Sequence, residues 1–340
     1  MRKYKTALIG YYGFNNFGDE LLLQASLNML ERAGINRGEI IILSNQPDNT
    51  ENIFNIKSVS RWSFKALIKT LINCERLIFG GGGIFQDSTS VKSCVWYWAL
   101  IKLAKLLRVK VYALGQSIGP LKTRAGKFFA KNALKDLEIL QVRDEPSLTL
   151  ALNNFKLNNI ISGCDLALSL DFQTPICHCV TSPLTGATRE AADISKGEYI
   201  LLNLRPHRDL NKFINQAQDI LQEFNNYNYN IIGVAFSPED FDLLSNLDAI
   251  NIYKLYKFYN ISDINNNFAS LFINAKFALG MRLHFNITAF KFNVKFHALC
   301  YDPKVEAFNN FALNNQAKDA KIFQFQFQNE LDKIAYKIFN

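Results

Sequence analysis

The segment Gly280-Met281-Arg282-Leu283-His284 sets an arginine and a histidine two residues apart, where a short apolar run meets an amphipathic stretch. Histidine exchanges protons near neutral pH. A neighbouring guanidinium adds a fork that fits phosphate or carboxylate. Reading 277–280 as a strand and 283–290 as a helix puts His284 at a helix start, where free N–H groups favour anions. This segment is the expected catalytic centre, with His284 exchanging the proton. Of the four histidines, His178 and His297 read as structural and His207 is left open.

Other segments end strands in the same way. In Val142-Arg143-Asp144-Glu145-Pro146-Ser147, Arg143 closes a strand and suits an anionic ligand. Asp144 reads as a helix cap, with Pro146 in the first turn. Lys304 follows a later strand in Tyr301-Asp302-Pro303-Lys304, and Arg205 follows another in Asn203-Leu204-Arg205-Pro206. The loop from Gly10 to Glu20 opens the first helix, with Gly13, Asn16 and Asp19 expected near ligand; Asp19 and Glu20 also complement the helix dipole. Gly80-Gly81-Gly82-Gly83 reads as a loop whose N–H groups, chiefly at Gly81 and Gly82, approach a ligand. It lacks the Lys-Ser/Thr of a Walker loop. Gly115-Gln116-Ser117-Ile118-Gly119-Pro120 offers Gln116 and Ser117 at a further strand end.

The elements that must position these residues alternate. Strands are expected at 7–10, 39–43, 76–79, 110–114, 137–141, 159–162, 199–204, 229–235, 249–253, 277–280 and 294–299. Helices are expected at 19–32, 64–72, 93–107, 212–224, 238–244, 261–275, 283–290 and 329–339, with others beginning near Pro146 and Val305. This rhythm predicts an α/β protein with parallel sheets covered on both faces. Residues 1–170 form one Rossmann-like domain, 171–198 a linker with a loop, 199–315 a second Rossmann-like domain, and 316–340 a helical tail. Two such domains are expected to face a cleft lined by strand carboxyl ends. The run Phe323-Gln324-Phe325-Gln326-Phe327 alternates like a strand but is too short to decide.

Composition narrows the class. The chain has 340 residues, 49% hydrophobic and 20% charged, with a net charge of +8. That excludes a mainly disordered chain. Positive charge favours anionic partners, but the basic residues are scattered and no nucleic acid is expected. The six cysteines include Cys177-His178-Cys179, whose ligands are too close to wrap one tetrahedral ion, so no metal is expected. No signal segment and no run of about 20 apolar residues is visible. The expectation is a cytoplasmic protein, at most touching the inner face of a membrane through its final helix.

Taken together and in order, these segments resemble the polysaccharide pyruvyl transferase family, above all its bacterial branch acting on cell-wall polysaccharide. The resemblance spans Gly-Tyr-Tyr-Gly with Gly-Asp-Glu, the glycine run ending in Phe85-Gln86-Asp87, Gly-Gln-Ser-Ile-Gly-Pro, Val-Arg-Asp-Glu-Pro-Ser, Asn-Leu-Arg-Pro and Gly-Met-Arg-Leu-His. It implies a GT-B-like fold, phosphoenolpyruvate as co-substrate without a further cofactor, and a lipid-linked saccharide diol as acceptor. The product would be a cyclic pyruvate ketal. It implies donor contacts at Arg143, His284 and Lys304, joined by Arg282, and an acceptor-side acid at Asp240, with Glu239 as competitor. Asp165, in Gly163-Cys164-Asp165-Leu166, departs from the family's Asp-Pro pattern. Two rivals share the architecture: a glycosyltransferase using a nucleotide sugar, and a non-catalytic sugar-binding protein.

Overall fold

A computed structural model describes residues 2–88, 90–171, 199–264, 266–315 and 320–339. Contacts divide the chain into two units. Unit 1 holds Met1–Phe14, Asp19–Leu170 and Phe325–Asn340; unit 2 holds Asn15–Gly18 and Asp171–Gln324.

Unit 1 is a seven-stranded parallel sheet: β1 (Tyr4–Ile9), β2 (Ile40–Ser44), β3 (Ser58–Ser60), β4 (Cys74–Phe85), β5 (Lys110–Ile118), β6 (Ile139–Val142) and β7 (Ile160–Ser162). The order is β3-β2-β1-β4-β5-β6-β7, so the chain starts in the middle and winds both ways. Near-continuous apolar runs such as Ile40-Ile41-Ile42-Leu43 are what strands covered on both faces require. The helices are α1 (Phe17–Arg32), α2 (Pro47–Phe54), α3 (Phe64–Asn73), α4 (Val91–Leu106), α5 (Arg124–Lys135) and the short α6 (Glu145–Thr149). The α2 helix was not legible, because it buries only Thr50 and Phe54.

Unit 2 is a smaller parallel sheet: β8 (Tyr199–Asn203), β9 (Asn230–Ala235), β10 (Lys254–Lys257), β11 (Phe277–Gly280) and β12 (Phe296–Ala298), in the order β10-β9-β8-β11-β12. Its helices are α7 (Leu210–Gln222), α8 (Pro238–Ser245), α9 (Asn266–Ile273), α10 (Leu283–Lys291) and α11 (Pro303–Leu313). The edge strand β10 lies C-terminal to the expected 249–253. An edge strand is only half covered, and Lys254-Leu255-Tyr256-Lys257 carries a correspondingly weak apolar signal. Phe17, although in α1, packs its ring on Phe236, Phe258 and Phe268 and donates its N–H to the Phe236 carbonyl at 3.0 Å.

The last helix, α12 (Ala320–Phe339), begins well before the expected Asn329. Phe327, Leu331, Ile334, Ala335 and Ile338 are buried at helical spacing, and this period overrides the alternation of the Phe-Gln run. Within unit 1, Arg76 donates to the Ile338 carbonyl at 3.0 Å and lies over the Phe339 ring, while Arg32 pairs with Asp332 at 2.9 Å. No helix of the described residues is long and apolar enough to cross a membrane. Most of the expected 171–198 linker, including Cys177-His178-Cys179, lies outside the described residues.

Candidate active-site residues

The glycine run corrects the sequence expectation. Gly80 to Gly83 continue β4 as strand, which pairs with β5 through an irregular register. A Cβ at Gly80 would fall 2.2 Å from the Tyr12 hydroxyl, and one at Gly81 would meet Leu22 at 3.0 Å. The run therefore lets α1 lie close against the sheet. Gly81 and Gly82 adopt φ values of +87° and +101°, which favour glycine there. Gln116 likewise belongs to β5 and is wholly buried; it donates to the Leu114 carbonyl at 2.9 Å. It is part of the sheet, not of an exposed loop.

Beyond β5 and β6, unit 1 builds a network around Arg143. The backbone N–H of Arg143 continues the sheet by donating to the Gln116 carbonyl at 3.0 Å. Its Nε donates to Ser117 Oγ at 2.6 Å and its Nη1 to Asp165 Oδ2 at 2.5 Å, with both ionic side chains 4% exposed. The Ser117 hydroxyl in turn donates to Asp144. Asp144 caps α6 as expected, accepting from the Ser147 N–H at 2.9 Å. Asp165, the weaker family match, is the counter-ion of Arg143, and its other oxygen accepts from the Ala167 N–H at 2.9 Å. Nη2 of Arg143 has no partner among the described residues, so its N–H groups remain to be offered.

The loop after β1 is held from within. The Gly13 N–H donates to Glu20 Oε1 at 2.8 Å. Burial, with Asp19 adjacent, pushes the Glu20 carboxyl up to about 8. Glu20 thus ties the loop to its own helix, and Asp19 stays half-buried beside it.

In unit 2, Asn203 and Arg205, Ser237 to Asp240, Arg282 and His284, and Tyr301 and Lys304 follow the carboxyl ends of β8, β9, β11 and β12. Asp240 is fully buried. Arg282 grips it with two prongs: Nε to Oδ2 at 2.5 Å and Nη2 to Oδ1 at 2.7 Å. Nη2 also reaches Ser237 Oγ at 2.6 Å, and Nη1 reaches Asn16 Oδ1 at 3.4 Å. Asp240 Oδ2 accepts the Phe236 N–H at 3.2 Å as well. Two expectations change as a result. Asp240 is no accessible proton acceptor, because its carboxylate is neutralised and shielded from solvent. Arg282 is no donor-binding cation, because its fork is spent inside the protein. The competitor Glu239 is exposed, and a hydrogen bond from Ser237, aided by Arg282 and Arg205, keeps its carboxyl ionised below the usual range.

His284 stands in the first turn of α10, half-buried. A Cβ on Gly18 would fall 2.1 Å from its Nδ1, so the imidazole lies directly on the Gly18 backbone. Sequence analysis missed this seat; glycine is a poor helix former, and its presence in the first turn of α1 was the available signal. Arg205 donates to the Tyr301 hydroxyl at 2.7 Å and stacks over that ring at 5.1 Å. Lys304, in the first turn of α11, lies 3.5 Å from Asp302, a partly exposed pair that leaves its ammonium able to turn to a ligand.

Comparison with known proteins fits this arrangement. No curated protein sequence matches the chain. Among solved structures, UDP-GlcNAc 2-epimerase from Methanocaldococcus jannaschii is similar, with a TM-score of 0.59 at 13% identity over 98% of this chain and 99% of that one. UDP-N-acetylglucosamine 2-epimerase from Rickettsia bellii gives 0.57 at 11% identity over 98% and 96%. The Anabaena protein HepE in complex with UDP-glucose gives 0.54 at 11% over 99% and 96%. At these identities the likeness establishes the GT-B-like α/β fold alone. The sequence profile of polysaccharide pyruvyl transferase matches residues 16–303, which takes in β2 to β12. The chain belongs to the polysaccharide pyruvyl transferase family.

Proposed function

We propose that the enzyme moves the pyruvyl group of phosphoenolpyruvate onto a diol of a lipid-linked cell-wall saccharide at the cytoplasmic face of the membrane, making a cyclic ketal and releasing phosphate. The supporting observation is the edge of the second sheet, where neighbouring strands deliver Arg205, His284 and Lys304 beside the ionised Glu239, while the Arg282–Asp240 pair braces them. The donor carries a phosphate and a carboxylate. Lys304 supplies positive charge for it in unit 2, and in unit 1 the unspent Nη2 of Arg143 offers an anion contact of its own.

In the reaction, His284 as imidazolium gives its proton to the methylene carbon, leaving an oxocarbenium-like centre at C2. One sugar hydroxyl attacks C2, the C2–O bond to phosphate breaks, and the neighbouring hydroxyl closes the ring. Glu239 takes the role first given to Asp240, accepting a hydroxyl proton on the acceptor side. Cationic side chains neutralise the donor, so turnover is expected to survive excess chelator. The test is incubation with phosphoenolpyruvate and lipid-linked saccharides, with nucleotide sugars as control donors. Phosphate release with a mass gain of one pyruvate ketal is expected. Glycosyl transfer from a nucleotide sugar, with phosphoenolpyruvate untouched, would overturn the proposal.

A further inference from the structure

The carboxyl ends of β1, β2 and β3 in unit 1 carry a cluster of aromatic rings around one buried arginine. Arg61, directly after β3, is 2% exposed. Its Nη1 donates to the Gly10 carbonyl and its Nη2 to the Tyr97 hydroxyl at 2.9 Å, while Nε has no hydrogen-bond partner among the described residues. Its charge is met instead by ring faces: Trp96 at 4.8 Å, Trp62 at 5.1 Å, Phe14 at 5.6 Å and Tyr97 at 5.8 Å from the guanidinium carbon. Tyr11 extends the cluster by stacking flat on Phe14, with centroids 3.9 Å apart and planes 8° from parallel.

The outer rings face water. Trp62 is 58% exposed and Tyr11 44%. Leaving two large rings in solvent forfeits the stabilisation that their burial would bring. Both are nevertheless held in place. The indole N–H of Trp62 donates to Asn45 Oδ1 at 2.8 Å, and Asn45 Nδ2 donates to the Gly13 carbonyl at 3.2 Å. The edge of Trp62 is thus already satisfied, and its face is what it presents. Rigid aromatic faces at the carboxyl ends of an open parallel sheet occupy the place where such folds bind ligands.

We infer that Tyr11, Phe14 and Trp62 form a stacking platform for a sugar ring of the acceptor. The inference rests on the saccharide acceptor of the proposed function. A pyranose with mostly equatorial substituents turns axial C–H groups to one face. Those weakly positive hydrogens match the negative π face, and the hydroxyls stay at the rim, where Ser63 is exposed and Asn45 half-buried. The platform selects for ring shape and leaves the reacting diol unspecified.

The test is ligand-observed NMR titration of the full chain with cellobiose, lactose and diacetylchitobiose, with no phosphoenolpyruvate present. The platform predicts saturation transfer strongest at the C–H protons of one sugar face for at least one of these probes. Trp62→Ala should weaken that binding about tenfold. Trp62→Phe should restore most of it. Phe128→Ala, which removes another exposed ring, should change nothing. Binding of none of the three sugars, or equal binding by Trp62→Ala, overturns the inference. So does Trp62-dependent binding to phosphatidylglycerol vesicles with no sugar response, which would make the patch a membrane contact. Because the readout needs no donor, sugar binding without phosphate release would sink the donor assignment and leave the platform standing.

Discussion

Each unit keeps one buried arginine–aspartate pair at the carboxyl edge of its sheet, and the two pairs are built differently. Arg282 is fully committed, with two prongs on Asp240 and further bonds to Ser237 and Asn16. Arg143 is held through Nε by Ser117 and through Nη1 by Asp165, with Nη2 left over. A guanidinium whose donors are consumed can brace a site but has nothing left for a substrate. One that keeps a nitrogen unspent is held in place and still has N–H groups to offer. The same residue pair thus serves construction in unit 2 and, on the proposed reading, anion binding in unit 1. Glu20 gives a third case, a buried carboxyl held by a backbone N–H in place of a cation.

The largest effect should come from breaking the committed pair. Arg282→Ala leaves Asp240 buried and unpaired, which typically costs about 3–5 kcal/mol, and a denaturant titration should show that loss; a midpoint unchanged from wild type would mean the pair is not structural. Next comes the seat of His284. Gly18→Ala forces the imidazole aside, and a displacement of this kind lowers kcat by about 100-fold, whereas an unaltered kcat would show that the ring has room to move. Arg143→Lys keeps the charge and loses the fork. It should raise the phosphoenolpyruvate KM about tenfold with little change in Tm; a collapse of Tm instead would make Arg143 a structural copy of Arg282.

A further expectation is a pH dependence at Glu20. Its folded value of about 8 lies above the ordinary 4.5, so between these limits the folded state keeps a proton that the unfolded chain releases. Stability contributed at this site is therefore lost as pH rises through that window. Glu20→Gln should match wild type at about pH 4 and melt higher at about pH 9. Parallel melting curves across that range would show that Glu20 does not titrate this way.

Much of this was legible in the sequence, for identifiable reasons. Strongly apolar runs such as Arg76-Leu77-Ile78-Phe79 announce buried parallel strands, and the residues after them fall at strand ends, which located Arg143, Arg205, His284 and Lys304. Side-chain partnership was not legible. Nothing in the spacing of Asp240 and Arg282 says that they close on each other across 42 residues. Asp165 looked weak because it departs from a family pattern, yet an ion pair needs only a carboxylate at the right place. The glycines of β4 read as a loop because glycine serves close approach of any kind, and here they continue the strand with α1 packed against Gly80 and Gly81. The aromatic cluster was invisible because its rings come from three separate segments, Tyr11 with Phe14, Trp62, and Trp96, which meet only in the fold, around Arg61.

The central claim, that His284 protonates the donor, is tested most directly by single-turnover phosphate release from phosphoenolpyruvate by wild type and His284→Ala, with the unfolding curve of each recorded alongside. Loss of a positioned acid should slow release roughly 100- to 10,000-fold with an unchanged unfolding midpoint. Wild-type release by a well-folded His284→Ala protein would contradict the account.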